Sequence, residues 1–146
     1  MEHHINLGIN CILIIPECAL LPHVAAAQTT NPEVTQDNIR QTICTSGWTK
    51  TVRPPQPYTD KIKRDLLADF GGDSKDYELD HVILLAVGGH PTDPQNLALQ
   101  AWEGEDGAKA KDVVETRVKR LVCVGRITLA QGQQCFIDGW RACPRH

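Results

Sequence analysis

Within residues 77–100 the chain sets an acid and an imidazole side by side, Asp80-His81, at the mouth of an apolar run. Gly88-Gly89 breaks that run, and Asn96 reopens a short apolar segment, Leu97 to Leu99. Residues 82–87 are apolar for long enough to make one buried strand, and a glycine pair is a strong turn signal. Pro91, Asp93 and Pro94 mark the loop that follows. The pattern predicts a hairpin that folds polar groups towards one spot. It fits a catalytic site, and it equally fits a capped, hydrogen-bonded Asp-His pair with no chemical duty.

The elements around this stretch follow from periodicity and capping. Thr35 can cap a short helix with Ile39 and Ile43 on its apolar side. Beyond it, Trp48, Val52, Pro54, Pro55 and Pro57 predict an extended arm, because proline fixes φ and lacks a backbone donor. Residues 59–70 read as a helix with Thr59 as N-cap, an apolar stripe of Ile62, Leu66, Leu67 and Phe70, and a stop at Gly71 or Gly72. Residues 108–122 read as another, with Ala110, Val114, Val118, Leu121 and Val122 inward. Lys111, Glu115 and Lys119 then fall on its exposed side at i,i+4 spacing. Thr128 with Gln131 forms a capping box that starts a last helix at about Leu129.

The ordered set Asp80-His81, Gly88-Gly89 and Asn96-Leu97, followed by Ala-Lys-Ala-Lys-Asp-Val-Val-Glu at 108–115, resembles the ββα-metal motif of HNH-type (His-Me finger) endonucleases. The front half, with Thr42-Ile43-Cys44, Trp48-Thr49, residues 52–55 and Tyr58-Thr59, resembles small secreted bacterial proteins that carry such a domain. The resemblance implies an α+β fold: one small domain with a hairpin-plus-helix core at about 77–122 and flanking helices. Residues 28–58 would be its N-terminal arm and 59–146 its core. It places the general base on His81, a metal-binding carboxylate on Asp80, and on Asn96 the task of holding the loop and orienting the imidazole. Adjacent strand residues point to opposite faces, so Asp80 and His81 converge only if the strand is kinked or bulged there.

The family also carries a His or Asn in the helix as a further metal ligand. Ala108 or Ala110 stands near that place here, and Glu103, Glu105 and Asp106 are the acids close enough to substitute, with Glu105 and Asp106 taken as candidate ligands. The chain departs from the secreted relatives in reading Leu84-Leu85-Ala86-Val87 where they have Pro-Leu-Glu-Leu, and Ala98-Leu99 where they have Trp-Pro.

Residues 1–27 read as a secretory signal: mostly apolar from Ile5 to Val24, with Val24-Ala-Ala-Ala27 as the small-residue cleavage site. Pro16, Glu17 and Pro22 interrupt the run, which argues against a membrane-spanning helix and leaves no span after processing. The alternatives are a short hydrophobic arm and an imperfect membrane anchor. Outside this segment stand four cysteines, Cys44, Cys123, Cys135 and Cys143, which allow three pairings. An oxidising compartment favours two disulfides in a domain this small. Cys44–Cys123 with Cys135–Cys143 is the preferred set, the second bond requiring that no unbroken helix separate its cysteines. A zinc site at Cys135, Cys143 and His146 is the rival.

A formal charge of −3 argues against strong non-specific polyanion binding through bulk charge, so a nucleic-acid role needs locally placed Lys and Arg. The expected function is an exported endonuclease that uses Mg2+ or Mn2+ to hydrolyse phosphodiester bonds, with DNA preferred over RNA as partner. The alternative is a catalytically silent exported module that keeps the scaffold for binding.

Overall fold

The computed structural model describes residues 29–146, so the expected signal segment lies outside the described residues. Within them the chain forms helices α1 (Trp48–Val52) and α2 (Gln56–Phe70), strands β1 (Tyr77–His81) and β2 (Leu97–Ala101), and helices α3 (Ala108–Cys123) and α4 (Leu129–Ile137). The strands make one antiparallel sheet with Tyr77 opposite Ala101 and His81 opposite Leu97. This is a small mixed α/β domain, and none of its described helices is long and apolar enough to cross a membrane.

The proline-rich arm is shorter than expected. Trp48–Val52 is already helical, and only residues 53–55 run extended before α2 begins. Pro57 sits in the first turn of α2, where a missing N–H removes no helical hydrogen bond. Thr59 is therefore inside the helix, its hydroxyl donating to the Gln56 carbonyl rather than capping. The stop is as expected: Gly71 adopts φ 82° and its N–H closes on the Leu67 carbonyl.

The apolar run 82–87 is not a strand. β1 ends at His81, and Leu85–Val87 form a single 3₁₀ turn, yet Ile83 to Val87 are all buried. The Asn96 side chain takes the place of a partner strand. Its Oδ1 accepts from Ile83 N–H at 2.8 Å and its Nδ2 donates to Ile83 C=O at 2.9 Å. A buried backbone pair must be satisfied somewhere, and one amide side chain satisfies both groups. The glycine pair makes this crossing possible. Gly88 adopts φ 79°, and a Cβ on Gly89 would lie 1.7 Å from the Ile83 carbonyl oxygen.

Ile43, Ile83, Val87, Val118 and Val122 form the centre of the core, with Leu129 and Phe136 of α4 closing one side. Thr128 and Gln131 form the expected capping box at the start of α4. Both preferred disulfides are present, Cys44–Cys123 and Cys135–Cys143. The second can close because α4 ends at Ile137 and Gly139 turns the chain back. With Cys135 and Cys143 bonded to each other, neither is a thiolate ligand for the rival zinc site.

Candidate active site around His81

His81 ends β1 and is only 7% exposed. Its Nε2 lies 3.0 Å from the Pro91 carbonyl oxygen. A carbonyl can only accept, so Nε2 carries the proton and Nδ1 keeps the ring lone pair. Burial holds the imidazole pKa below its usual value; the Pro91 carbonyl and Asp80 oppose that, while Arg53 and Lys111 reinforce it.

Asn96 reaches His81 indirectly. It is fully buried, and Nδ2 donates to the His90 carbonyl at 2.9 Å as well as to Ile83. His90 in turn accepts at Nδ1 from the Thr92 and Asp93 amides. The loop that presents the Pro91 carbonyl is thus fixed from both sides, and Pro91 fixes the imidazole. Asn96 is a positioning residue one step removed from the ring.

Asp80 does not converge with His81. The register runs unbroken through Asp80 opposite Ala98 and His81 opposite Leu97, with no bulge to rotate one onto the other. The carboxylate faces α3. Its Oδ2 pairs with Lys111 Nζ at 2.5 Å, and Oδ1 accepts from the His81 amide at 2.7 Å. The same ammonium donates to the His81 carbonyl at 2.6 Å and is 4% exposed. Lys111 is therefore not on the solvated face of its helix as expected; it ties the end of β1 to α3.

A cleft of about 360 Å³ opens beside His81, lined also by Arg53, Lys63, Glu78 and Thr59. Arg53 comes from the short extended link before α2, and Lys63 from α2 itself. Burial first, then the carboxylates of Asp80 and Asp112, push Glu78 up to about 7. The same causes push Glu115 up to about 7 on α3. Lys111 lies among these acids and offsets part of their repulsion.

The candidate ligands Glu105 and Asp106 are not brought to Asp80. Both are exposed, and both turn to Arg141: Asp106 Oδ1 lies 2.5 Å from Nε and Glu105 Oε2 3.8 Å from Nη2. The turn before α3 carries them to the side of the C-terminal segment, since Arg141 belongs to the 3₁₀ turn Trp140–Ala142. No family model, curated protein or solved structure matches this chain.

Whether a divalent ion fits at Asp80 depends on its donors. One oxygen accepts from a backbone amide and the other from an ammonium, whose positive charge already neutralises the carboxylate and opposes a second cation beside it. Among the described residues no group of three or more His, Cys, Asp or Glu side chains is arranged to hold a metal. This donor arrangement does not fit the implied ion.

Three residues of the site escaped the sequence reading: Lys111, Arg53 and Glu78. For Lys111 a signal existed. Positions 111, 114, 118, 121 and 122 follow the buried stripe better than 110 does, so a lysine stood on the core face. A charge at such a position needs a buried partner. Arg53 and Glu78 come together only through tertiary packing, and their sequence positions carry no such mark.

Proposed function

We propose that the chain is an exported phosphodiesterase acting on nucleic acid, built on a hairpin-and-helix site of the ββα type, with His81 as general base. The observation that carries this reading is the fixed tautomer of His81: Nε2–H is held by the Pro91 carbonyl, which leaves Nδ1 as the proton acceptor. The depressed pKa keeps the ring neutral at pH 7, so the base is in its working form. Arg53 and Lys63 line the same cleft and supply the local positive charge that the chain as a whole lacks. Asn96 and Lys111 hold the ring's surroundings from the loop side and the helix side. Two disulfides support export, because such bonds persist in oxidising compartments.

The test is cleavage of plasmid DNA and of single-stranded RNA by the full chain, with Mg2+, with Mn2+ and with chelator. His81→Ala is expected to lower the rate about 10²–10⁴-fold while circular dichroism stays unchanged. Activity of the parent protein is expected to rise with pH through a limb lying below the ordinary histidine value of about 6.5. Absence of cleavage of either polymer under all three conditions would replace the enzyme with a silent binding module on the same scaffold.

A further inference from the structure

The buried pair Asp80–Lys111 narrows the chemistry available to this site, and the narrowing points to a substrate. Resting on the phosphodiesterase reading above, we infer that the site cleaves RNA without a divalent ion: Lys111 fills the cation's place at Asp80, and the ribose 2′-hydroxyl is the nucleophile that His81 activates. Three observations carry this. Asp80 has both carboxylate oxygens engaged from within the chain, one by the His81 amide and one by the Lys111 ammonium. Lys111 is fixed there by a second bond to the His81 carbonyl, so its charge is built into the fold. The acids nearest in sequence to the start of α3, Glu105 and Asp106, are turned to Arg141 instead.

Bound metal turns water into a strong nucleophile by lowering its pKa from 15.7 to about 7. Imidazole alone does not do that for water. It can act on a nucleophile that is already in place, and the 2′-hydroxyl of RNA is attached one bond away from the carbon that bears the 3′-phosphate. Well-oriented intramolecular attack reaches effective molarities of about 10⁵–10⁸ M, which offsets the loss of metal activation. DNA has no such group.

The step balances without a further reactant. His81 Nδ1 takes the proton of the 2′-hydroxyl as its oxygen bonds to phosphorus. The bond from phosphorus to the 5′-oxygen breaks, and that oxygen receives the proton back from the imidazolium through water in the cleft. The products are a 2′,3′-cyclic phosphate and a free 5′-hydroxyl. Arg53 and Lys63, lining the cleft with His81, are placed to meet the charge that collects on the phosphoryl oxygens.

The experiment gives the full chain a 5′-labelled single-stranded RNA, the same sequence as DNA, and the same RNA with every 2′-hydroxyl methylated. Each is incubated in chelator and, separately, in Mg2+ or Mn2+, with His81→Ala prepared in parallel. The expected result is cleavage of the unmodified RNA alone, at a rate that changes less than about twofold on chelation. The fragments should end in a cyclic phosphate, and His81→Ala should cut about 10²-fold or more slowly. Cleavage that needs the metal, or that proceeds on DNA or methylated RNA, overturns the inference and leaves the phosphodiesterase reading standing. RNA cleavage equal in His81→Ala overturns it as well, because the activity then belongs to something other than this site. No cleavage of any polymer under any condition overturns both readings.

Discussion

Asp80 and Asp106 make an instructive pair. Each meets a basic side chain at 2.5 Å, and each was a candidate ligand by its place in the sequence. Their surroundings differ entirely. Asp80 and Lys111 sit between β1 and α3, where the lysine is buried, the carboxylate keeps 19% of its surface in water, and the ammonium holds the His81 carbonyl too. Asp106 and Arg141 stand in solvent, with Glu105 as a loose third member. Identical contact distances therefore conceal different energetic weights: the exposed pair is screened and replaceable, while either half of the buried pair is costly to leave alone.

That contrast is most easily broken by removing Lys111. Lys111→Met leaves a mostly buried carboxylate without its cation and should destabilise the domain by about 2–4 kcal/mol, the low side of a fully buried pair because Asp80 keeps some solvent. Urea unfolding with disulfides intact measures this; a loss below about 1 kcal/mol would mean that the pair is no more than a surface bridge. Adding Asp80→Leu to Lys111→Met should recover most of the loss, since the pair is then replaced by apolar groups, and the cycle isolates the coupling.

A smaller effect sits on the same helix. Burial, Asp80 and Asp112 raise Glu115 in the folded state to about 7, above its ordinary 4.5. The sign follows: below about 4.5 both folded and unfolded forms are protonated and nothing is lost. As pH rises towards 7 the unfolded chain releases its proton first, and folded stability falls. Glu115→Gln should therefore stabilise the protein at pH 8 by on the order of 1–3 kcal/mol, with the gain vanishing near pH 4. An equal gain at both pH values would show that charge is not its source. Glu78 carries the same sign, discounted because it is only half-buried and partly screened by solvent.

The exposed side should respond least. Arg141→Ala is expected to cost between about 0 and 1 kcal/mol, and to cost less still at high salt. A loss matching that of Lys111→Met would erase the contrast between the two pairs.

How much of this was legible in the sequence differs from element to element. The helices at 108–122 and from 129 were readable because their apolar spacing and the Thr128–Gln131 box agree with one another. The cysteine pairing was one preference among three, and the structure holds that set because α4 ends before Cys143. The turn at Gly88-Gly89 was legible, but its reason was not: Gly88 turns the chain at positive φ, Gly89 admits the Ile83 carbonyl, and Asn96 replaces a partner strand for the run that looked like one. Periodicity cannot distinguish a buried strand from a buried loop whose backbone a side chain satisfies. Within the site, His81, Asp80 and Asn96 were marked by their residue types, and the structure places all three on or beside the hairpin. Lys111 was passed over because lysine on a helix is ordinarily read as solvated.

The Cys44–Cys123 bond has a consequence for how the domain withstands proteolysis. It joins positions 79 residues apart, and the whole of β1, the loop that carries Pro91 and Asn96, β2 and nearly all of α3 lie between them. A protease that cuts once anywhere in that interval opens a ring without producing two separate molecules. The fragments stay tethered, the severed ends diffuse at high local concentration, and the hairpin can remain seated on its helix. On a gel the nicked protein would migrate as one species until reductant is added, and only then fall apart into pieces.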